Sequence, residues 1–174
     1  MSAKLHQRII GIGNRDRGDD GVGLFVAERL REFGLPAIAY EGDPLALAHL
    51  WGPDDHVLLI DAVLTGAPPG TLHFSNASEI SLSRTPPASS HGFDVAQGIE
   101  LARILGRLPA SLRVCGIEAE CLDMKVGLTP RVREAAAIAI EQILRDLSLF
   151  QETSSPDSES EGFGHSEGTG ERSR

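Results

Sequence analysis

An apolar strand that breaks into a glycine-rich turn and continues as an amphipathic helix constrains this chain more than any other feature. The stretch is Ile9-Ile10-Gly11-Ile12-Gly13-Asn14-Arg15-Asp16-Arg17-Gly18-Asp19-Asp20-Gly21-Val22-Gly23. Strand, glycine turn and helix in that order usually cradle a phosphate on backbone N–H groups and the helix N-terminus. Here the turn carries acids instead. Counted from Gly13, the spacing follows a P-loop as far as Gly18, but Asp19 and Asp20 stand where the phosphate-binding Lys and the Mg-binding Ser or Thr belong. The slot for the third glycine of a dinucleotide fingerprint is Asp16. A carboxylate at a helix N-terminus is electrostatically favoured, yet it repels phosphate and attracts a cation. The loop therefore suits a metal or proton transfer. Helix capping accounts for one acid of the pair, and Asp19 is the expected cap. Two adjacent acids in such a turn ask for more than capping.

The rest of the chain alternates strands with helices. Residues 7–12 read as a strand and 20–33 as a helix, ending at Gly34 with Pro36 beyond. A short strand over 37–40 leads to Gly42-Asp43-Pro44 and a helix through Leu50. Residues 56–61 form a third strand that ends on Asp61, and its continuous apolar run marks a central strand covered on both faces. A turn over 66–70 precedes a fourth strand over 71–74, the candidate for antiparallel pairing. The polar, proline-bearing segment 75–90 reads as a mobile loop, 91–105 as a helix and 112–117 as a fifth strand. After a loop over 118–128, Thr129-Pro130 opens the last helix with an N-cap and a first-turn proline, and that helix runs to about Leu149. The expected fold is an α/β three-layer sandwich, a roughly five-stranded and mostly parallel sheet with helices on both faces. Residues 1–150 form its one domain. Residues 151–174 are Ser-, Glu- and Gly-rich with almost nothing apolar, and read as a disordered acidic tail.

Charge and composition narrow the function. A chain of 174 residues with 41% hydrophobic residues has a substantial core to bury. Its net charge of −9 argues against nucleic-acid binding. The start of the chain has no apolar signal core, and no run is long enough to span a bilayer, so a cytoplasmic protein without a membrane partner is expected. Cys115 and Cys121 are too few for a disulfide framework and lack a Cys-x-x-Cys spacing; they read as plain thiols.

In a parallel α/β sheet, ligands bind beyond the carboxyl ends of the strands. Asp20 follows the first strand and Asp61 ends the third, after four apolar residues, where a carboxylate is costly without a partner. His91 opens a helix after the proline-bearing segment. Two carboxylates and an imidazole can hold a first-row divalent ion and leave positions for water or substrate. His6, His49, His56, His73 and His165 read as structural or solvated.

The loop from Gly11 to Gly23 closely resembles that of the maturation endopeptidases of [NiFe]-hydrogenases. The resemblance continues through Leu58-Leu59-Ile60-Asp61-Ala62, Pro69-Gly70-Thr71, Ser90-His91-Gly92, Gly116-Ile117-Glu118 and Gly127-Leu128-Thr129-Pro130, covering roughly residues 8–147. It departs at Glu41-Gly42-Asp43-Pro44, where many members carry a glycine-rich turn with Thr. The resemblance implies an enzyme, a hydrolase that removes a C-terminal extension from the hydrogenase large-subunit precursor after nickel insertion. It also implies that Asp20, Asp61 and His91 are both the catalytic and the nickel-binding residues. The nickel is carried by the precursor and is not a tightly resident cofactor; a monomer is expected. The rival reading is a non-catalytic metal- or nucleotide-binding module on the same scaffold. A nucleotide binder would favour glycine or a cation in place of Asp19-Asp20.

Overall fold

The computed structural model describes residues 6–78, 95–125 and 127–152, with 147–152 as backbone alone. His91, most of the 75–90 segment, and the tail beyond Glu152 lie outside the described residues. Five strands form one sheet: β1 (His6–Ile12), β2 (Ala37–Tyr40), β3 (Asp55–Val63), β4 (Leu72–Asn76) and β5 (Ser111–Glu118). Their order is β2-β1-β3-β5-β4. All neighbours are parallel except β4, the candidate for antiparallel pairing, which runs antiparallel to β5. The chain leaves β1 towards β2 on one side and β3 towards β5 on the other. The crevice where the order reverses therefore lies between the C-terminal ends of β1 and β3.

Helices cover both faces. α1 (Val22–Glu32) and α3 (Pro130–Glu152) lie on one face, where Val22, Val26 and Leu30 meet Val132, Ala136 and Ala139 over Ile9, Ile60, Cys115 and Ile117. The alanines of α3 let the two helices approach closely, and burial of this seam is the main stabilising term for both. On the other face, α2 (Val95–Ile104) and a 3-10 turn at Pro44–His49 bury Ile99, Ala102 and Leu47 against Ile10, Leu59 and Val114. Side chains alternate strictly between the two clusters along β1, β3 and β5, so each central strand is apolar on both faces. Among the described residues, no helix is long and apolar enough to cross a membrane.

Several expected boundaries move, each for a local reason. β3 does not end on Asp61 but continues to Val63, because Asp61, Ala62 and Val63 keep pairing with Gly116, Ile117 and Glu118. β5 takes in Glu118, which the sequence pattern places in the following loop. The first helix does not begin at Asp20; Gly18–Gly21 form a 3-10 turn, and α-helix starts only at Val22. The segment after Pro44 is likewise 3-10, capped by the Asp43 carboxylate accepting from Leu45 N at 2.9 Å. α3 runs to Glu152, two residues into the expected tail.

α1 comes down onto the strand ends at a glycine. A Cβ on Gly23 would stand 2.3 Å from both the Ile12 and Ile60 carbonyl oxygens, and one on Gly11 would stand 1.9 Å from Gly23 O. This backbone contact seats the start of α1 across the crevice. Gly23→Ala is expected to cost about 3 kcal/mol of unfolding free energy, because only backbone surrounds the added carbon. Gly106→Ala, at φ +64° with nothing within 4 Å, should cost about 1 kcal/mol. Urea denaturation of the two variants checks the contrast.

Candidate active site

The acidic turn divides its two carboxylates between two roles. Asp19 is fully buried and caps no helix; the N-caps of the 3-10 turn and of α1 are Arg17 and Gly21, neither with a side-chain cap bond. Its Oδ2 accepts from Glu120 N at 3.0 Å, Cys121 N at 2.9 Å and the Thr129 hydroxyl at 3.0 Å, and its Oδ1 accepts from Thr129 N at 2.7 Å. The backbone adds Asp19 N to Cys121 O and Gly18 N to Lys125 O. Asp19 thus ties the first loop to the connection between β5 and α3. The cap expected of Asp19 fails because these distant N–H groups need an acceptor once they are buried.

Asp20 is turned the other way, with its side chain 23% exposed and 3.9 Å from the Arg17 guanidinium. Its carbonyl accepts from Asn14 N at 3.3 Å, just past the end of β1. Asp61 is partly buried in β3, one residue beyond Ile60, whose carbonyl crowds Gly23. The 3-10 turn carrying Asp20 packs against β3, the strand that carries Asp61. His91 lies outside the described residues. Among the described residues, no three His, Cys, Asp or Glu side chains form a metal-holding group.

The departure at residues 41–44 has a structural account. Arg15 Nε donates to Glu41 at 2.7 Å and its Nη2 to Glu28 at 2.5 Å, which holds the Glu28 carboxyl below the usual range against its partial burial. Asp43 caps the following turn, and the Tyr40 hydroxyl donates to Asp43 O. Both extra acids therefore fasten the rim to neighbouring elements.

Two buried carboxylates escaped the sequence reading. Glu118 is 2% exposed; Oε1 accepts from Thr65 N and Gly66 N at 2.8 and 2.9 Å, and Oε2 accepts from the Thr65 hydroxyl at 2.8 Å and faces His73 Nε2 at 3.2 Å. Burial pushes this carboxyl up, but the Thr65 hydroxyl, the two backbone N–H groups and His73 outweigh it and hold it below its ordinary 4.5. The signal was available: an acid directly after Gly116-Ile117 at a strand end needs partners as much as Asp61 does. Asp55, at the opposite end of the sheet, accepts from Gly52 N and Arg8; the Gly52 N–H leads in holding it below 3.8. Cys115 is buried, which pushes its thiol up to about 12 and leaves it no role as a nucleophile. Cys121 donates its S–H to Asp123. His56 bonds Ser111, and His6 lies 3.6 Å from Asp55.

The fold is a doubly wound α/β sheet whose glycine loop carries Asp19 and Asp20 where a P-loop carries its Lys and its Ser or Thr, so it lacks the phosphate-binding pair of a nucleotide-binding loop. The family model described as HycI, hydrogenase maturation protease, matches residues 43–146, more than half of the chain. The hydrogenase 2 maturation protease of Escherichia coli is 28% identical over 145 residues, covering 80% of this chain and 88% of that protein. The [NiFe] hydrogenase maturation protease HybD from Thermococcus kodakarensis superposes with a TM-score of 0.65 at 26% identity, covering 82% of this chain and 99% of that one. The solution structure of an Escherichia coli endopeptidase shares the fold, with a TM-score of 0.69 at 24% identity and coverage of 86% and 94%. The chain belongs to the hydrogenase maturation protease family, and so is a hydrolase of the endopeptidase class.

Removing the Asp19 carboxylate leaves four donors without an acceptor. Asp19→Ala is expected to cost about 4 kcal/mol of stability, and hydrogen exchange should show the 119–129 connection losing protection before the sheet does.

The carboxyls of Glu118 and Asp55 are held below their ordinary 4.5 and 3.8, so the unfolded chain binds these protons first as pH falls. Their stabilisation is complete above about pH 4.5 and is lost as pH drops through the lower folded-state values. Glu118→Gln should lower the neutral plateau and flatten the acid limb of a melting-temperature profile between pH 3 and 7.

Proposed function

We propose that this protease removes the C-terminal extension of a [NiFe]-hydrogenase large-subunit precursor after nickel has been inserted, acting in the cytoplasm as a monomer. The membership of the hydrogenase maturation protease family, over a match spanning residues 43–146, is the observation that carries this reading. The Escherichia coli and Thermococcus kodakarensis relatives are named hydrogenase maturation proteases, which supports the reading. Asp20, Asp61 and His91 form the site in this reading, and they receive the nickel as part of the substrate.

The chemistry of those groups suits that task. Two carboxylates and an imidazole with no thiolate hold a free divalent ion weakly, because three ligands leave half an octahedral shell to water and no soft donor adds affinity. Nickel already fixed in the precursor meets them at high effective concentration, and docking it orients the adjacent peptide for attack by water. Arg17 and the Asp19 staple limit the positions that Asp20 can take, so the cost of arranging that ligand is met during folding. Precursor without nickel lacks the anchor.

Matched precursor samples with and without inserted nickel, incubated with purified enzyme, test the proposal through the size shift of the large subunit. Only the loaded sample should be cut. Asp20→Ala, Asp61→Ala and His91→Ala should each slow processing by about 100-fold or more while the circular dichroism spectrum is unchanged. Equal cleavage of both precursor samples, or wild-type rates from Asp61→Ala, would reject the reading.

A further inference from the structure

His73 had been read as structural or solvated, yet the sheet register gives it a place relative to the crevice. Asp61 pairs with Gly116, and Gly116 pairs with His73, so the three form one row across β3, β5 and β4. Alternation sets the face of that row. The pair Leu59 and Val114 packs under α2, whereas Ile60, Cys115 and Phe74 pack under α1 and α3. Two residues on from Leu59 and Val114, the row of Asp61, Gly116 and His73 projects on the α2 side, at the C-terminal edge of the parallel strands.

A Cβ on Gly116, in the middle of that row, would stand 2.9 and 3.1 Å from the two Val63 methyls, so the glycine lets the Val63 side chain lie against β5. His73 is the far wall. Its side chain is 36% exposed, while the Glu118 side chain behind it is 2% exposed. Every other contact of the Glu118 carboxylate is with a donor: Thr65 N, the Thr65 hydroxyl and Gly66 N. At 3.2 Å the Nε2 of His73 therefore meets an acceptor and carries the hydrogen. That tautomer leaves Nδ1 of the neutral ring as an acceptor.

We propose that His73 is a substrate-contacting residue of this protease, its Nδ1 accepting a hydrogen bond from a backbone N–H of the precursor peptide where it crosses the sheet end between Asp61 and β4. This rests on the processing activity proposed above. Two strand spacings separate Asp61 from His73, about 10 Å, and an extended peptide advances about 3.4 Å per residue. The bonded N–H is therefore about three residues from the group docked at Asp61. His73 governs how firmly the peptide is held, not how the bond is broken. Glu118 positions it.

Single-turnover processing of nickel-loaded precursor at varied enzyme concentration separates half-saturation from limiting rate. His73→Ala should raise the half-saturating concentration about fivefold, the share of one neutral hydrogen bond, with the limiting rate within about twofold. Two further variants split contact from scaffolding. His73→Asn sets an amide oxygen where Nδ1 stood but cannot reach Glu118; His73→Gln keeps a donor for Glu118 but offers no acceptor at the Nδ1 position. The proposal expects half-saturation to recover in the Asn variant and not in the Gln variant, while melting temperature recovers in the opposite order. Unchanged half-saturation in His73→Ala, or recovery by Gln instead of Asn, overturns it. A wild-type enzyme that leaves loaded precursor uncut removes the underlying reading before any variant is compared.

Discussion

The buried carboxylate of Asp19 is the interaction on which the site depends. A fully buried acid is tolerated only where donors replace its lost water, and all four of its donors come from one distant connection, through Glu120, Cys121 and Thr129. The bond set is reciprocal: the carboxylate satisfies N–H groups at the start of that connection and at the entry to α3, which would otherwise be orphaned. The result is that the glycine loop after β1 cannot shift without pulling on the segment after β5. Asp20, the next residue, inherits that fixity while its own side chain stays partly exposed.

Backbone proximity does the same work from the other direction. Gly11 and Gly23 allow α1 to sit on the ends of β1 and β3 with carbonyls where side chains would normally stand. Helix, glycine loop and both strands therefore meet at one point, the reversal of strand order, with Asp20 in the loop and Asp61 in β3. Beyond Asp61 the same sheet edge is closed by Glu118, which gathers the turn after β3 through Thr65 and Gly66 and holds His73 on β4. The C-terminal end of the parallel strands is thus fastened by two buried acids, Asp19 and Glu118.

Much of this was legible in the residues. The apolar runs at Ile9-Ile10 and Val57-Leu58-Leu59-Ile60 announce strands covered on both faces. Turn residues at Gly34, Gly66 and Gly70 punctuate the alternation, and Pro130 marks the start of the last helix to the residue. What failed shares one cause. Local pattern pairs Asp19 with the helix above it and places Glu118 in a loop, although both are satisfied by groups forty-five or more residues away in sequence. Local patterns report short-range hydrogen bonding well. They carry no record of which distant N–H groups a fold will bury. The end of β3 slipped for a related reason: Asp61 looks like a terminator in isolation, and only pairing with β5 carries the strand on to Val63.

The identity of two neighbouring acids then becomes intelligible as a division of labour. A single aspartate in the loop could serve as a ligand or as a tie, not both, because a carboxylate saturated by four protein donors has little capacity left for a cation. A lone open aspartate on an untied glycine loop would sample many positions, and each metal contact would have to pay for ordering it. Placing one acid inside and the next nearer the surface separates the requirements: Asp19 gives its lone pairs to the fold, and Asp20 is left for the substrate-docking role proposed above. The 3-10 geometry of Gly18–Gly21 helps here. Successive side chains in that tight turn point about 120° apart, so one can face the protein interior while its neighbour faces the strand ends.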